Sequence, residues 1–385
     1  MKKSWLLTCV LLFTAMFLLF GCSSQGEGGA PAPSANGADS SGTNTDPSTA
    51  PNAAGEAQTQ GNSGGESSFP KVIADALEGA KAEGEVSIFF AVSATPQQVS
   101  SFEKEMEKFY GFPIKVKMDY SLHPQKAREV VEAYKSNVNP GIDVFSSAEM
   151  IFAPMDKAGL LVDLTDLGQA FGVQTMVADG KAIPFGDGSK SNVVYNTNLV
   201  QGEDIPQTYE DLLDPKWKGK IVVPRSATPF AIIGGTMGDE FGTRFVEGLV
   251  KQQQVVVVPT YPDMLSRVVS GEFSIGIGVE STAYQRAGAP LGDAPITPFV
   301  SSPWANAMLK DVPHPNAAKL AMYYMITPEG QKVLDELFGL GLASQPGTKI
   351  HQVVNGREVK YLPYSFYLNE YTALSQKYSE ILGIK

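Results

Sequence analysis

The chain has 385 residues, of which 43% are hydrophobic and 18% are charged, with 30 basic residues against 41 acidic ones, three His and two Cys. Its length suggests two domains, because a domain usually spans roughly 100–200 residues, and its apolar fraction excludes a wholly disordered chain. A net charge of -11 excludes nucleic acid as the main partner, since phosphate backbones are bound by clustered Lys and Arg, and two Cys are too few for a zinc cluster or a disulfide scaffold.

Residues 1–21 are predicted to be a signal peptide. Lys2-Lys3 precede the apolar run Trp5–Phe20, which is shorter than the roughly 20 residues of a membrane-spanning helix. The run ends in Leu19-Phe20-Gly21-Cys22, which resembles the bacterial lipobox, and this resemblance implies that Cys22 becomes lipidated. An uncleaved signal anchor and an ordinary signal peptide are the alternatives.

Residues 22–68 are predicted to be a disordered tether rich in Gly, Ser, Ala and Pro. From residue 23 onward they contain no Val, Ile, Leu, Met, Phe, Tyr or Trp, and no Lys or Arg. A segment with nothing to bury cannot offset its chain entropy and stays disordered. As a flexible coil it would reach roughly 40 Å, enough to hold a folded body away from a membrane.

Residues 69–192 begin with apolar runs of strand length, each followed by a helix-start signal. The predicted strand Val86–Val92 leads into Thr95 as N-cap and Pro96 as first helical residue, and Gly111 closes that helix. Further predicted elements are the strands Ile114–Met118 and Ile142–Phe145, a helix near 126–135, and a helix that Ser146 opens and Gly159 ends. Strands that alternate with helices predict parallel pairing with right-handed crossovers.

A second unit with the same alternation starts near Val193. Its predicted elements are strands at 193–196, 220–223, 255–258 and 273–279, a helix from Ser226, a short helix at 264–270, and helices at 311–336 and 367–382. The predicted fold class is therefore α/β, with two doubly wound units.

One tetrapeptide, Ser-Ala-Thr-Pro, occurs twice between a predicted strand and a predicted helix, at 93–96 and at 226–229. In open α/β sheets, ligands lie beyond the carboxyl ends of strands, where helix N-termini present free N–H groups to an anion. Two such helix starts, one in each unit, would clamp an anionic or oxygen-rich solute. Arg225, directly before the second copy, would add a forked donor. The alternative is that this sequence is simply a common way to begin a helix.

Catalytic and metal-binding motifs are missing from the sequence. No His-Glu-x-x-His, Walker A or Gly-x-Ser-x-Gly motif is present, and the three His are scattered through loop-like sequence. Gly276-Ile277-Gly278 follows a strand but lacks the third Gly of a dinucleotide fingerprint. The pair Tyr323-Tyr324 lies in an apolar helical pattern, which favours core packing over iron binding. We therefore predict no enzyme activity and no cofactor.

Several stretches of the body carry a family resemblance, and the most specific is Asp211–Lys220, which reads Asp-Leu-Leu-Asp-Pro-Lys-Trp-Lys-Gly-Lys. The others are 142–145, 194–198, 206–210, 316–319 and 327–331. Together they resemble the type 2 periplasmic-binding-protein superfamily of bacterial ABC importers, specifically its ferric-iron-binding-like branch. The resemblance covers about residues 82–345.

The resemblance implies two lobes joined by crossing hinge strands, which close on a solute and deliver it to an ABC permease and its ATPases. We expect one lobe from 69–192 plus 299–345, and the other from 193–298 plus 346–385. It also implies a monomer on the outer face of the cytoplasmic membrane, anchored through the lipid on Cys22. Closure requires that the solute touch both lobes, which strengthens the interpretation of the two helix starts as ligand-binding.

Candidate ligand-binding residues come from the ends of the predicted strands and from nearby aromatic side chains, because two helix ends and one charged hydrogen bond fall short of micromolar affinity. The aromatic candidates are Tyr195, Tyr284 and Trp304. The predicted set is Ser93, Ala94, Thr95, Ser146, Ser147, Tyr195, Arg225, Ser226, Ala227, Thr228, Glu280, Ser281, Thr282 and Tyr284.

The resemblance does not carry the iron site with it. Iron binders of this branch usually have two adjacent Tyr after the strand that ends here at Val279, whereas this chain has only Tyr284, with Glu149 as a nearby carboxylate. Fe(III) prefers several anionic oxygen ligands. We therefore predict a small polar or anionic organic solute and keep ferric iron, held by Tyr284 and Glu149, as the alternative. A lipid-anchored extracellular enzyme and a sensor domain on the same fold are the alternatives from other classes.

Overall fold

The computed structural model describes residues 69–173, 177–279, 281, 284–285 and 287–384. The predicted signal peptide, the tether with Cys22, and the site candidates Glu280 and Thr282 lie outside the described residues. Within the part of the chain that the structure describes, no helix is both long and apolar enough to cross a membrane.

The described strands form two sheets of five strands and one of two. In chain order they are β1 (Glu85–Phe89), β2 (Lys115–Asp119), β3 (Val144–Ala148), β4 (Ile183–Gly186), β5 (Asn192–Asn196), β6 (Ile221–Pro224), β7 (Val256–Val258), β8 (Ile275–Gly278), β9 (Leu291–Asp293), β10 (Phe299–Ser301), β11 (Trp304–Met308) and β12 (Val359–Tyr361).

The first sheet has the order β2-β1-β3-β11-β4. β1 lies parallel to β2 and β3, and β11 is inserted antiparallel between β3 and β4. Because successive side chains on a strand point to opposite faces, Ile88 and Val144 pack in one apolar cluster while Phe89 and Phe145 pack in another. Both faces of the sheet are therefore buried at β1 and β3, whereas the edge strand β2 exposes Lys115 and Lys117.

The second sheet has the order β7-β6-β8-β5-β9, with β6 parallel to β7 and β8, and β5 antiparallel to β8 and β9. Its two faces are also buried in separate clusters, with Ile221 and Val223 in one and Val222 in the other. The predicted α/β fold with two doubly wound units is confirmed. We call the part that carries the first sheet the first lobe and the part that carries the second sheet the second lobe, and we keep the predicted lobe boundaries as a proposal.

Helices cover the faces of both sheets. They are α1 (Lys71–Ala74), α2 (Leu77–Glu83), α3 (Pro96–Tyr110), α4 (His123–Lys135), α5 (Ala153–Lys157), α6 (Thr165–Ala170), α7 (Thr228–Met237), α8 (Asp239–Lys251), α9 (Tyr261–Val269), α10 (Pro315–Ile326), α11 (Pro328–Phe338), α12 (Lys349–Val354), α13 (Tyr364–Asn369) and α14 (Tyr371–Leu382). Short 3₁₀ helices lie at Glu149–Ile151, Ala178–Gly180, Gly202–Asp204, Glu210–Leu213 and Pro215–Trp217.

Two predicted helices are each divided in the structure. The segment 311–336 contains α10 and α11, which separate at Thr327 because Pro328 cannot continue the hydrogen-bond ladder and Thr327 Oγ1 instead caps Gly330 N at 3.1 Å. The segment 367–382 likewise contains the end of α13 and the whole of α14. Tyr324 is 1% exposed and packs against Phe102, so its predicted core role is confirmed.

The prediction that Ser146 opens a helix is wrong. Ser146 and Ser147 continue strand β3, and only a 3₁₀ turn follows before α5. β11 pairs with this end of β3, with Asn306 opposite Ser146 and Ala305 opposite Ser147. The backbone groups of the two serines are therefore held in the sheet by a strand that lies far away in the sequence.

Two of the passages of the chain between the lobes, one after β4 and one between β9 and β11, are joined by one carboxylate. Asp187 lies in the first of these passages and Ser301 in the second. The Asp187 carboxylate accepts a hydrogen bond from Ser301 Oγ at 2.5 Å. It also accepts from the Tyr361 hydroxyl at 3.0 Å and from Ala343 N at 2.7 Å. Strand β10 pairs in parallel with β12 at the same place, so Asp187 holds four separate segments together.

Replacing Asp187 by Asn should destabilise the protein. The amide nitrogen of Asn cannot accept a hydrogen bond, so at least one of the three donors that now bind the carboxylate would lose its acceptor. We expect the free energy of unfolding to fall by about 2 kcal/mol, in the range for a buried group that loses its hydrogen-bond partner. Urea unfolding of the full-length protein, followed by circular dichroism, measures this change. The exposed Asp166→Asn is the matched control and should change stability by less than about 0.5 kcal/mol. Equal stability of the two variants would contradict the proposed role of Asp187.

Candidate functional site

A cavity of about 230 Å³ lies between the lobes, at the carboxyl ends of β3 and β6. Open α/β sheets bind ligands at this position. Both lobes contribute to its lining, which consists of His123, Ser147, Ala148, Met150, Ile151, Lys190, Ser226, Thr228, Tyr261 and Trp304. The helices α4, α7 and α9 begin at three of these residues, namely His123, Thr228 and Tyr261.

His123 forms part of the first-lobe wall as a neutral imidazole. Its Nδ1 lies 2.6 Å from Ser147 Oγ, and its ring stands edge-on to Phe89 with ring centroids 4.9 Å apart. Burial lowers the pKa of His123 below its usual value, and the ammonium of Lys190 lowers it further, while a backbone hydrogen bond at Ala91 acts in the opposite direction. At neutral pH this ring therefore supplies one donor and one acceptor nitrogen.

Lys190 supplies the formal positive charge of the cavity. It lies in the first passage between the lobes, and its Nζ is 5.3 Å from the centroid of the Trp304 ring. A cation in this position is attracted by the ring face, which holds the ammonium beside the cavity without a carboxylate. Among the described residues that line the cavity, none is an Asp or a Glu. The cavity is thus locally positive in a chain with a net charge of -11.

The second-lobe wall is made of hydroxyl groups at two helix starts. Ser226 Oγ accepts from Thr228 N at 3.3 Å and lies 3.5 Å from the Tyr261 hydroxyl. Thr228 Oγ1 is 2.8 Å from the hydroxyl of Tyr371, the first residue of α14. Burial raises the pKa of Tyr261 to about 12, so its hydroxyl is protonated and can donate. The free N–H groups of α7 and α9 add a partial positive charge on this side.

Four of the candidates from the sequence, Ser147, Ser226, Thr228 and Trp304, line the cavity. The other copy of the repeated tetrapeptide lies elsewhere. Ser93 and Thr95 are exposed, Ala94 is half-buried, and Thr95 caps α3 by accepting from Gln98 N at 3.3 Å. The helix start that lines the first-lobe side of the cavity is that of α4.

Other candidates are engaged elsewhere in the lobes. Ser146 is buried and its hydroxyl donates to Asn306 Oδ1. Ala227 is 4% exposed in the core, whereas Arg225 is exposed and its backbone N donates to Val258 O at 2.6 Å. Tyr195 lies on β5, where its half-buried ring occupies the space beside Gly292.

The loop after β8 is held by Asp293. Ser281 is fully buried and donates to this carboxylate through its backbone N at 2.9 Å and its hydroxyl at 3.1 Å, and Gln285 Nε2 donates to it at 2.7 Å. Tyr284 packs against the apolar cluster that contains Leu291. Among the described residues, Tyr284 is therefore part of a packed loop, and it does not line the cavity.

Glu149, the carboxylate of the iron alternative, is buried inside the first lobe. It is 4% exposed, and its Oε1 accepts from Ala178 N at 3.1 Å. Its pKa is raised to about 7, chiefly by burial and to a smaller extent by the neighbouring carboxylate of Asp179, against the lowering effect of the Ala178 hydrogen bond. In the part of the chain that the structure describes, no group of three or more His, Cys, Asp or Glu could hold a metal ion.

The sequence interpretation missed six residues that line the cavity, namely His123, Ala148, Met150, Ile151, Lys190 and Tyr261. Two of them carried a usable signal, because His123-Pro124 and Tyr261-Pro262 both follow a strand and begin a helix. The polar segment around Lys190 carried no signal in the sequence that would have identified it as part of the site.

Comparisons with known proteins agree with this geometry. A family model described as bacterial extracellular solute-binding protein matches residues 97–347. No protein with a curated description matches the sequence.

Several solved structures share the fold of this chain. The Trichodesmium protein IdiA (FutA), in complex with iron and citrate ligands, has a TM-score of 0.62 and 18% identity, and the match covers 78% of this chain and 100% of that one. The apo ferric ion-binding protein A of Pasteurella haemolytica has a TM-score of 0.61 and 17% identity, with 78% and 99% covered. AfuA of Actinobacillus pleuropneumoniae, with exogenous fructose-6-phosphate bound, has a TM-score of 0.59 and 19% identity, again with 78% and 99% covered.

Replacing Glu149 by Gln should stabilise the protein above neutral pH. A carboxyl pKa that is raised from 4.5 to about 7 means that the folded state holds the proton more tightly, so the wild-type stability falls as pH rises through this window. The Gln amide mimics the protonated form and keeps an oxygen for Ala178 N. We expect the variant to gain about 2–3 kcal/mol at pH 8 and nothing at pH 4.

Urea unfolding of the full-length protein at pH 4, 6 and 8 measures this difference. The exposed Glu107→Gln is the control and should show no pH-dependent gain. A gain for Glu149→Gln that is the same at pH 4 and pH 8 would contradict a buried carboxyl with a raised pKa.

Proposed function

This chain belongs to the bacterial extracellular solute-binding proteins, and from that premise we propose that it captures a small anionic or polar organic solute between its two lobes. The observation that carries the proposal is the cavity between the lobes, where Lys190 and the starts of α4, α7 and α9 meet and the described lining holds no carboxylate. Such a site attracts an anion and repels a cation.

Binding at this position would close the lobes on each other. The first lobe contributes His123 and Ser147, and the second contributes Ser226 and Tyr261. A solute that touches both walls binds the closed arrangement more tightly than an open one and therefore shifts the population toward closure. The two passages at Asp187 and Ser301 are where the backbone would bend.

The lining also favours an organic anion over ferric iron. Fe(III) prefers several anionic oxygen ligands, but Glu149 is buried away from the cavity and Tyr284 packs in its own loop. Tyr261 has a pKa raised to about 12, so the phenol that lines the cavity resists ionisation. Solved structures with the same fold hold iron in one case and a sugar phosphate in another, so the fold itself leaves the solute open.

We also propose the cellular setting of the protein. A closed, loaded binding protein would deliver its solute to an ABC permease and its ATPases, on the outer face of the cytoplasmic membrane. The lipid on Cys22 would anchor it there through the tether at 22–68. A monomer is sufficient for this role, and neither an enzyme activity nor a sensor role is needed to explain the cavity.

Replacing Lys190 by Met should weaken binding of anionic solutes while keeping the length of the side chain. We expect the affinity for a phosphonate or sugar phosphate that stabilises the wild type to fall at least tenfold, which matches the loss of one charged hydrogen bond. Thermal shift selects the solute, and isothermal titration calorimetry on the full-length protein measures the affinity.

Lys332→Met is the control, because Lys332 lies on α11 and 75% of its side chain is exposed. It should bind like the wild type. Unchanged binding in Lys190→Met, or stabilisation of the wild type by ferric salts with a visible phenolate-to-iron absorption band, would overturn the proposal of an anion site.

Replacing Cys22 by Ser should prevent lipidation, because a hydroxyl cannot form the thioether that carries the lipid. We expect the wild type to incorporate labelled palmitate in expressing bacteria and Cys22→Ser to incorporate none. Cys9→Ser, the other Cys of the chain, should behave like the wild type. Palmitate incorporation in Cys22→Ser would contradict lipidation at that residue.

A further inference from the structure

One side of the cavity between the lobes is apolar. The residues Ala148, Met150, Ile151 and Trp304, which we call the apolar wall, all belong to the first lobe and all line the cavity. Ala148 is the last residue of β3, and Met150 and Ile151 lie in the 3₁₀ turn that follows. Trp304 is the first residue of the neighbouring strand β11. The charged residue of that turn, Glu149, is buried in the lobe, so the turn adds only apolar side chains to the lining.

Most hydroxyl groups of the cavity already have partners within the protein. Ser147 Oγ lies 2.6 Å from His123 Nδ1, and Thr228 Oγ1 lies 2.8 Å from the Tyr371 hydroxyl. Ser226 Oγ accepts from Thr228 N. A solute with many hydroxyl groups would have to share these partners, and those of its hydroxyls that met the apolar wall would lose water without gaining a hydrogen bond.

Lys190 places a positive charge at the edge of the apolar wall. Its Nζ is 5.3 Å from the Trp304 ring centroid, and the His123 ring is 6.0 Å from the same ring. A positive charge beside an apolar surface suits a solute that carries an anionic group on an apolar body. The anionic group would meet Lys190 and the helix starts, and the body would cover the wall, with a gain that grows with the apolar area buried.

We propose that the solute is an organic anion with an apolar body, such as a carboxylate or phosphonate on an aromatic or aliphatic group. This inference rests on the proposed function, since it specifies the solute of the same cavity. A bare oxyanion would leave the apolar wall uncovered, and a sugar phosphate would place hydroxyls against it.

Three probes separate these solutes in calorimetric titrations of the full-length protein. Methylphosphonate and phenylphosphonate share one headgroup and differ in apolar area, and fructose 6-phosphate carries a hydroxylated body. We expect phenylphosphonate to bind at least tenfold more tightly than either of the others. Equal affinities, or a preference for fructose 6-phosphate, would overturn the apolar-body inference and leave the proposed function standing. Binding of none of the three probes would count against both.

Replacing Trp304 by Ala should collapse the preference for the phenyl group. We expect the ratio of the phenylphosphonate and methylphosphonate affinities to fall below threefold, because the largest part of the apolar wall is gone. Trp304→Leu, which keeps an apolar side chain, should retain an intermediate ratio. An unchanged ratio in Trp304→Ala would contradict the role of the apolar wall.

Trp217→Phe is the matched control for loss of an indole. Trp217 is buried in the second lobe, away from the cavity, and its Nε1 has no hydrogen-bond partner among the described residues. Its replacement should leave the ratio at the wild-type value. Circular dichroism of all variants confirms that each is folded before its titration is interpreted.

Discussion

The hydrogen bond from Ser301 to Asp187 is the contact on which the cavity depends. It joins the two passages between the lobes, and each passage carries a residue of the site three positions further along, Lys190 in one and Trp304 in the other. The Lys190 ammonium lies 5.3 Å from the centroid of the Trp304 ring, so the two passages meet at the cavity as well as at this bond. The same carboxylate binds Tyr361 and Ala343 N, so the C-terminal part of the chain also takes its position from Asp187.

A second constraint is that the described lining of the cavity holds no carboxylate. The protein is acidic overall, yet Glu149 is buried in the first lobe with a pKa raised to about 7, and Asp293 is held by the loop after β8. Burying Glu149 has a stability cost above its pKa. In the proposed function, Lys190 and the helix starts would meet an anionic solute with no carboxylate among the described lining residues. Electrostatic attraction at short range depends on nearby groups more than on net charge.

The comparisons show how one fold serves different solutes. Structures with 17–19% identity and TM-scores near 0.6 share the fold of this chain, and they hold iron with citrate in one case and a sugar phosphate in another. The fold by itself therefore leaves the solute open. We propose an organic anion for this chain because the described lining of the cavity combines the Lys190 ammonium, neutral hydrogen-bonding groups and an apolar wall.

The sequence by itself determined the class of fold and the location of the site in general terms. Apolar runs such as Ile221–Val223 and helix starts such as Thr95-Pro96 are local patterns, and they predicted buried strands and α3 with boundaries within a few residues. Tertiary structure alone decided which hydroxyls reach the cavity. Ser146 and Ser147 are neighbours in the sequence, but they lie on opposite faces of β3. Because β3 pairs with β11, which is more than 150 residues away in the chain, the Ser146 hydroxyl bonds to Asn306, whereas the Ser147 hydroxyl lies beside His123. The hydrophobic periodicity of a segment indicates which of its residues are buried. Which residues they contact depends on packing between segments that are distant in the chain.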